Sequence, residues 1–363
     1  MKRMKRMKER PSVIRASIMV GVALLIVGCS NLPEIKVAMY GSAAVYAGNT
    51  GSKFSIDAGV GSGPSSLAIG PKSDKGNYLY VLDSSDQTLS YYDPNTKGGA
   101  NVTTYKDLSG LNPVSVAACR TQFDSAYYVF VTDMHGVAEL YVNSSGVLTF
   151  SHTAEWPVQQ TGTGQFSYPM GIACSPDGNT VAATFNDTDR MGHLFPGEID
   201  FIPSSDPFLD FRNGSVTTGI DPTSVCFSAD SSTAFVTNSG SGTVSAIDVA
   251  GMTVRNTITV GTGPDACAVN GSTLIVTNEY SGTITLINTS TDQVSATLNV
   301  GGHPNGVTFE SSTKADVLSA SPAEIFAVNV TDPTKPSVSS TTSLEGNHSP
   351  PHRYAIYPNN NLE

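Results

Sequence analysis

The sequence predicts an all-β protein, a seven-bladed β-propeller made of four-stranded antiparallel blades. Three observations support this prediction. A unit that begins at a proline recurs seven times at intervals of 40 to 56 residues. Within the units, short apolar runs alternate with period two between clusters of Gly, Asn, Asp and Ser, which is typical of strands and turns. After residue 35, no segment combines a helical period with capping residues.

The repeat is clearest in residues 222–260 and 264–300, which align almost without gaps. In each, an apolar run ends in Val-Thr-Asn, at Asn238 and Asn278, and Ser-Gly-Thr follows after a short turn. The anchor prolines are Pro64, Pro113, Pro169, Pro222, Pro264, Pro304 and Pro351. A four-stranded unit of about 40–50 residues has the length of a propeller blade, so seven anchors predict seven blades.

The two ends of the chain are expected to share one blade. After Pro351 there is room for a single strand, residues 353–357. Before Pro64, short strands are expected around 36–40, 43–47 and 54–58. The C-terminal strand is predicted to become the inner strand of this N-terminal blade, which would protect two sheet edges. Residues 36–363 would then form a single domain.

The first 28 residues predict a lipoprotein signal peptide. Residues 1–17 hold seven of the 20 Lys and Arg residues, and an apolar run, Ile18–Val27, follows. This order is typical of secretory signals. A transmembrane segment is the less favoured alternative, because about ten apolar residues are short for a ~30 Å hydrocarbon core.

Gly28-Cys29 resembles a bacterial lipobox. The resemblance implies a lipid on Cys29, cleavage before it, and a tether over residues 29–35. Ser30 after the cysteine resembles lipoproteins sent to the outer membrane, so the expected location is the cell envelope. A conventional cleavage site near an ordinary Cys29 is the alternative.

The composition excludes some classes of function. Charged residues make up 14% of the chain, and 31 acidic against 20 basic residues give a net charge of −11. An acidic chain disfavours nucleic-acid binding, which needs Lys and Arg against phosphate. The low charge content also argues against coiled coils and long surface helices.

Three segments resemble a known repeat. Ala234–Asn238 and Leu274–Asn278 resemble the YVTN repeat of seven-bladed propellers of the surface-layer and periplasmic type, and Pro169–Gly178 matches its opening strand and turn. The resemblance is strong over 222–310 and looser on both sides. It implies a fold similar to lactonase and haem-d1 propellers, but a shared fold does not fix a function.

The resemblance also implies that two sets of loops share one face around the mouth of the central channel, which we call the mouth face. These are the loops from fourth to first strands and from second to third strands. The predicted ligand- or partner-binding residues on this face are Tyr168, Asp221, His303, Arg353, Asp187, Asp189, Arg190 and Glu279. Other polar residues of these loops include Asn186, Asn305 and Tyr280. Alternatively, Asn and Asp stand there because they suit turns.

The fourth unit departs most from the repeat. Between Phe185 and Glu198, the short Ser-Gly-Thr turn is replaced by a longer insertion. Loops longer than a scaffold requires are often functional. Asp187 and Asp189 form a DxD pair, but calcium prefers six to eight oxygen ligands, so a solvated loop is the favoured interpretation.

No familiar catalytic, metal or haem motif is present. The sequence has no CxxCH, HExxH or GxSxG, and it has six His in all. No catalytic residue, metal or cofactor is therefore predicted. The expected function is a monomeric, lipid-anchored binding or scaffold module for a protein, peptide, glycan or envelope component, rather than an enzyme. The alternative is a metal-dependent hydrolase or lactonase that uses acidic channel residues.

Four cysteines lie on the predicted first strands of consecutive units: Cys119, Cys174, Cys226 and Cys267. Because side chains alternate along a strand, Cys119 could face Cys174, and Cys226 could face Cys267, across neighbouring blades. Exported proteins can hold disulfides. The favoured interpretation, however, is that the four cysteines are small buried hydrophobic residues, since packed sheets are ~10 Å apart and a disulfide needs closer Cα atoms.

Overall fold

The structure is a computed structural model. It describes residues 24–27, 35–40, 42–47, 53–56, 64–73, 76–84, 86–92, 103–105, 108, 110, 112–120, 127–133, 136–142, 147–155, 166–188, 192–204 and 214–343. The statements that follow concern these residues.

The strands form four-stranded antiparallel sheets, each made of consecutive strands. The first sheet contains β1 (Leu24–Val27), β2 (Ile35–Tyr40), β3 (Ser42–Ala47) and β4 (Lys53–Ile56). The second contains β5 (Pro64–Ser73), β6 (Gly76–Asp83), β7 (Thr88–Tyr92) and β8 (Thr103–Tyr105). The third contains β9 (Ser115–Arg120), β10 (Tyr127–Asp133), β11 (Gly136–Val142) and β12 (Leu148–Glu155).

The next four units follow the same plan. The fourth sheet contains β13 (Phe166–Cys174), β14 (Thr180–Thr188), β15 (Leu194–Pro203) and β16 (Gly214–Ile220). The fifth contains β17 (Pro222–Phe227), β18 (Thr233–Asn238), β19 (Thr243–Asp248) and β20 (Thr253–Thr259). The sixth contains β21 (Pro264–Asn270), β22 (Thr273–Asn278), β23 (Thr283–Asn288) and β24 (Gln293–Asn299). The seventh contains β25 (Pro304–Ser311), β26 (Lys314–Ser319), β27 (Glu324–Asn329) and β28 (Ser337–Ser343).

The predicted all-β architecture is confirmed. Apart from strands, the described residues form one short 3₁₀ turn, Glu279–Ser281. Within the described part of the chain, we find no helix with the length and apolar character needed to cross a membrane.

The first strands of neighbouring sheets contact one another in chain order. β5 contacts β9, and the series continues through β13, β17 and β21 to β25, which also contacts β1. Such an order is that of blades arranged around an axis.

The predicted closure differs from what the structure contains. The expected closing strand, residues 353–357, lies outside the described residues. The place beside β2 that it was expected to occupy is taken by β1, with Val27 opposite Ile35. β1 belongs to the segment that was predicted to be a signal peptide. Its Leu-Leu-Ile-Val sequence is apolar and partly β-branched, which favours a strand.

The core lies between the sheets rather than inside any one of them. On β10, Val129 and Val131 pack with Tyr80 of the second sheet. Phe130, between them, packs with Val181 of the fourth sheet. Alternate residues of one strand thus bury against opposite neighbours, which explains why the middle strands are apolar on both faces.

Two disulfides connect neighbouring sheets through their first strands. Cys119 and Cys174 join the third and fourth sheets, with Cα atoms 5.9 Å apart. Cys226 and Cys267 join the fifth and sixth sheets, with Cα atoms 6.1 Å apart. Both spacings lie in the normal range for disulfides. This is the same pairing of cysteines that the alternation of side chains along the first strands allows.

The Val-Thr-Asn motif has a structural role at the mouth face. The ladder between β17 and β18 is irregular next to Pro222, and the Thr237 hydroxyl there accepts the backbone N–H of Ser224 at 3.0 Å. The carboxamide of Asn238 accepts from the Gly219 N–H and donates to the Ser245 hydroxyl, both at 3.0 Å. These contacts hold the end of the strand and the connection that leads into the sheet.

The same contacts recur one sheet further along the chain. Thr277 accepts the N–H of Ala266 at 2.9 Å. Asn278 accepts from Gly261 at 3.1 Å and donates to Thr285 at 2.9 Å. The repeated sequence motif therefore corresponds to a repeated hydrogen-bond arrangement.

Candidate functional site

The fourth sheet projects beyond the other described sheets at the mouth face. β17, β21 and β25 begin at their anchor prolines, whereas β13 begins three residues before Pro169. The extra residues pair with the end of β14, with Ser167 opposite Asp187 and Tyr168 opposite Asn186. We call residues 166–168, 186–188 and 194–196 the ribbon. At ~3.3 Å per residue, the ribbon extends about 10 Å past the anchor proline.

The insertion in the fourth unit builds this ribbon. Residues 185–188 continue β14 and residues 194–198 begin β15, and Thr188 pairs with Leu194. The ladder shifts register between Phe185 and Asp187. Such irregularities re-aim side chains and are frequent beside active sites.

Asp187 is the central acid of the ribbon. Its carboxylate accepts a hydrogen bond from the Ser167 hydroxyl. Burial raises the pKa of Asp187 above the usual value, the Ser167 hydrogen bond opposes this rise, and the nearby charge of Glu198 adds to it. Glu198 in turn accepts from the Ser215 hydroxyl at 2.6 Å. Glu198 therefore lies close enough for its charge to disfavour the charged form of Asp187.

The ribbon packs against the beginning of the fifth sheet. The Asn186 amide donates to Asp221 Oδ1 at 2.6 Å. A Cβ on Gly197 would lie 2.6 Å from the Pro222 ring, so only glycine permits this approach. Asp221 has a φ of 56°, a left-handed conformation that Asp tolerates better than most residues. The other amide atom of Asn186, Oδ1, is buried and accepts no hydrogen bond from the described residues.

The ribbon carries two of the predicted site residues, Asp187 and the half-buried Tyr168, and contacts a third, Asp221, through Asn186. Because adjacent residues of a strand face opposite sides, Asp187 lies on the other face of the ribbon from Asn186 and Asp221. Glu279 and His303 lie at the same ends of the sixth and seventh sheets, one and two sheets beyond the fifth. Asp189, Arg190 and Arg353 lie outside the described residues.

Ser167 and Glu198 were missed from the sequence. Ser167 lies on β13 opposite Asp187, and Glu198 lies on β15, the strand on the other side of β14. The roles of both residues therefore depend on the register of the ribbon. The signal that could have found them is the alternation of polar residues on both sides of the insertion, read as paired strands rather than as a loop.

Among the described residues, no three His, Cys, Asp or Glu side chains are grouped as a metal site would need. The group around Asp187 has a different chemistry. A carboxylate with a raised pKa, held by a hydroxyl, can accept a proton from water as a general base. The oxygens of Asp221 and Asn186 can accept hydrogen bonds from hydroxyl groups of a ligand.

Searches with the sequence find neither a matching family model nor a matching curated protein. Solved structures do match. The periplasmic gluconolactonase of Pseudomonas aeruginosa is 16% identical, with a TM-score of 0.63 over 91% of this chain and 97% of its own. A Bacteroides uniformis protein described as a 6-phosphogluconolactonase is 16% identical, with a TM-score of 0.59 over 84% and 92%. Kuenenia stuttgartiensis hydrazine synthase is 13% identical, with a TM-score of 0.61 over 88% and 98%.

These matches correct the expected function. A non-enzymatic, lipid-anchored scaffold was the main interpretation of the sequence, and it is contradicted because two of these structural matches carry lactonase names. The alternative interpretation, a lactonase-type hydrolase, agrees better with them. At identities of 13 to 16%, the likeness itself establishes the fold. The chain has a β-propeller-like architecture of four-stranded antiparallel sheets.

Proposed function

We propose that this protein is a lactonase-type hydrolase whose reaction centre is the ribbon of the fourth sheet. The observation that carries the proposal is the half-buried Asp187, whose pKa is raised beside Ser167 and Glu198. The lactonase names among the structural matches support the reaction class.

In the proposed reaction, Asp187 takes a proton from a water molecule while the water oxygen attacks the lactone carbonyl carbon. The tetrahedral intermediate collapses, the ring C–O bond breaks, and the leaving oxygen takes up the proton from Asp187 to become the hydroxyl of the product. The new carboxylic acid then ionises and releases its proton to solvent. The hydrogen bond from Ser167 holds the Asp187 carboxylate in one orientation, so that it can accept the proton from the water molecule. Glu198, whose charge acts on Asp187, accepts a hydrogen bond from a hydroxyl group of the substrate and so orients it.

The test is hydrolysis of D-glucono-1,5-lactone by the chain without residues 1–28, followed as proton release and corrected for the uncatalysed rate. Asp187→Asn should lower kcat by about 10²- to 10⁴-fold, the range for loss of a general base. Asp332→Asn, at an exposed turn between β27 and β28, is the matched control and should leave kcat unchanged.

Unchanged kcat in Asp187→Asn would remove Asp187 from the mechanism. Failure of the parent protein to hydrolyse any sugar lactone above background would overturn the function. Assays with and without EDTA separate a metal-independent reaction from the metal-dependent one that the sequence suggested.

The proposal includes a ring of seven blades, of the type that the YVTN resemblance implies, closed by residues 353–357. The contact of β25 with β1 supports it, since the seventh sheet there meets the first. In the proposal, removal of residues 1–28 takes β1 away and leaves its place beside β2 to the C-terminal strand. Deleting residues 350–363 from the processed protein should then lower its melting temperature, and an unchanged melting temperature would contradict the closure.

Export and lipid attachment at Cys29 belong to the same proposal and rest on the basic, apolar and Gly28-Cys29 pattern. A lipid there would place the enzyme in the cell envelope. An envelope partner for the mouth face stays a prediction.

A further inference from the structure

We propose that Phe195 is a positioning residue of the Asp187 site, where its ring covers one side of the carboxylate and packs against the C–H face of a sugar-lactone ring. This inference rests on the proposed hydrolase and names the group of that site that recognises the apolar side of the substrate. It follows from the strand pairing of the ribbon and from the core beneath it.

Phe195 lies directly opposite Asp187 in the ribbon. Ser167 on β13 pairs with Asp187 on β14, and Asp187 pairs with Phe195 on β15. Residues that are directly opposite in an antiparallel pair share one face of the sheet, with Cβ atoms about 4.5–5.5 Å apart. A hydroxyl group therefore lies on one side of the carboxylate and a phenyl ring on the other.

The insertion places Phe195 beyond the body of the fourth sheet. In the fifth sheet the third strand, β19, begins at Thr243, level with the anchor proline. In the fourth sheet Glu198 is level with the anchor proline, and β15 begins earlier, at Leu194. Phe195 therefore has no counterpart in the fifth sheet, and it is only half-buried. The fully buried apolar residues of β15 are Ile199, Phe201 and Ile202.

The face of the ribbon that carries Asp187 and Phe195 is directed towards the third sheet. Phe185 lies two residues before Asp187 on the same face, and it packs with Phe130 and Val137 of the third sheet. The ribbon extends past this junction at the mouth face. A ligand bound there would contact the ring of Phe195 and the carboxylate of Asp187 from the same side.

A phenyl ring beside Asp187 accounts for part of the burial of its carboxylate. Burial raises the pKa of Asp187, the charge of Glu198 adds to the rise, and the Ser167 hydrogen bond opposes it. On the third sheet, the Thr132 hydroxyl contacts Met170 of the fourth sheet, so the adjacent Asp133 is directed to the opposite face. Replacing Phe195 should thus change the exposure of Asp187 to water while Glu198 and Ser167 stay in place.

The arrangement of these groups suits a ring that is apolar on its faces and polar at its edge. In a six-membered sugar lactone, C–H bonds form the faces and hydroxyl groups surround the edge. Phe195 offers an apolar surface to one face. Glu198 offers an acceptor to a hydroxyl at the edge.

The test compares Phe195→Ala with Leu194→Ala during hydrolysis of D-glucono-1,5-lactone. Leu194 is 44% exposed and lies on the other face of the same strand, which makes it the matched control. In Phe195→Ala, the rise of kcat/KM that accompanies deprotonation of Asp187 should move to lower pH, because water reaches the carboxylate and its pKa falls. KM should increase by about tenfold through the lost packing. Leu194→Ala should change neither quantity.

Phe195→Leu separates the two roles of the ring. Leucine is apolar but has no flat face, so this variant should keep the pH profile of the parent and still increase KM. An unshifted profile or an unchanged KM in Phe195→Ala would overturn the inference.

Two measurements that need no turnover separate this inference from the proposed function. Carbon-13 NMR follows the titration of the Asp187 carboxyl group, and calorimetry measures the affinity of D-glucono-1,5-lactam, which is neutral and resists hydrolysis. A lower pKa of Asp187 and about tenfold weaker lactam binding in Phe195→Ala, without turnover of any lactone by the parent, would support the role of Phe195 and overturn the hydrolase. An unchanged pKa or an unchanged lactam affinity in this variant would overturn the inference even if the parent is an active lactonase. Absence of lactam binding by the parent would also overturn it.

Discussion

The hydroxyl of Thr237 lies 2.9 Å from the carbonyl oxygen of Asp265, across the junction of the fifth and sixth sheets. The hydroxyl oxygen of Thr237 also accepts a hydrogen bond from the backbone N–H of Ser224 within the fifth sheet. Thr132 makes the corresponding contact with the carbonyl of Met170, at 3.3 Å, between the third and fourth sheets. One hydroxyl thus completes an irregular ladder and joins two sheets at the mouth face.

Replacing Thr237 by valine should destabilise the protein. Valine keeps the shape and burial but leaves the Ser224 N–H without its acceptor, which costs about 1–3 kcal/mol in a buried place, whereas the Asp265 carbonyl keeps the hydroxyl of Thr223 as a donor at 3.0 Å. Urea unfolding measures the change. Thr259→Val, on the exposed outer strand β20, is the matched control and should change the free energy of unfolding by less than about 0.5 kcal/mol. Equal effects of the two variants would contradict this role.

The raised pKa of Asp187 should make stability depend on pH. The folded state holds the proton of this carboxyl to higher pH than the unfolded chain, so stability is fully present below the ordinary pKa of Asp. It is lost as pH rises through the raised pKa. Asp187→Asn removes this loss of stability at higher pH, because asparagine does not ionise. Its side-chain oxygen can still accept the hydrogen bond from the Ser167 hydroxyl. At pH 7 the variant should unfold at the same or a higher temperature while its lactonase activity is lost.

The measurement is the melting temperature of both proteins from pH 3 to pH 8. A variant that melts lower than the parent at pH 7, with the two curves meeting in acid, would show that the charged carboxylate stabilises the fold.

The two disulfides should be detectable in the mass of the protein. The unreduced, processed chain should weigh four hydrogens less than the reduced chain, two for each bond. Because the bonds close segments of 55 and 41 residues, each should contribute about 2–4 kcal/mol. Urea unfolding of Cys119→Ser/Cys174→Ser and of Cys226→Ser/Cys267→Ser measures the two contributions separately. Equal masses before and after reduction would exclude both bonds.

Replacing Cys29 by alanine should abolish lipid attachment and release the protein from membranes. The predicted cleavage before Cys29 depends on the thiol that carries the lipid. Metabolic labelling with an alkyne fatty acid and fractionation of the cells measure both effects. Cys119→Ala, which leaves the signal pattern intact, is the control and should keep the label. Labelling of Cys29→Ala as strong as that of the parent would contradict lipidation at this residue.

Much of the fold could be predicted from the sequence because each unit carries its own signals. The prolines, the period-two runs and the Val-Thr-Asn motif are local, and they correspond to strand starts, buried strands and hydrogen-bonded strand ends. Alternation along β9, β13, β17 and β21 also gives the pairing of the four cysteines.

The site was harder to predict because it depends on register and on contacts between units. Asp187 and Asp221 could be selected as residues that break the repeat, but their connection through Asn186 depends on how the ribbon meets Pro222. The partnership of Ser167 with Asp187 follows from the pairing of β13 with β14, which a loop interpretation of residues 185–198 hides. The main functional interpretation, a scaffold module, rested on the repeat, the lipobox pattern and the lack of a catalytic motif, and the structural matches that carry lactonase names contradict it.

The two disulfides cross two of the three junctions between the third, fourth, fifth and sixth sheets. They tie the third sheet to the fourth and the fifth to the sixth, but neither crosses from the fourth to the fifth. That uncrossed seam is where the ribbon holds Asp221 through one amide. Oxidation therefore makes two covalently joined pairs of sheets, and the seam between the fourth and fifth sheets, held by the chain connection and non-covalent contacts alone, is the place where these pairs can shift against each other without straining a disulfide.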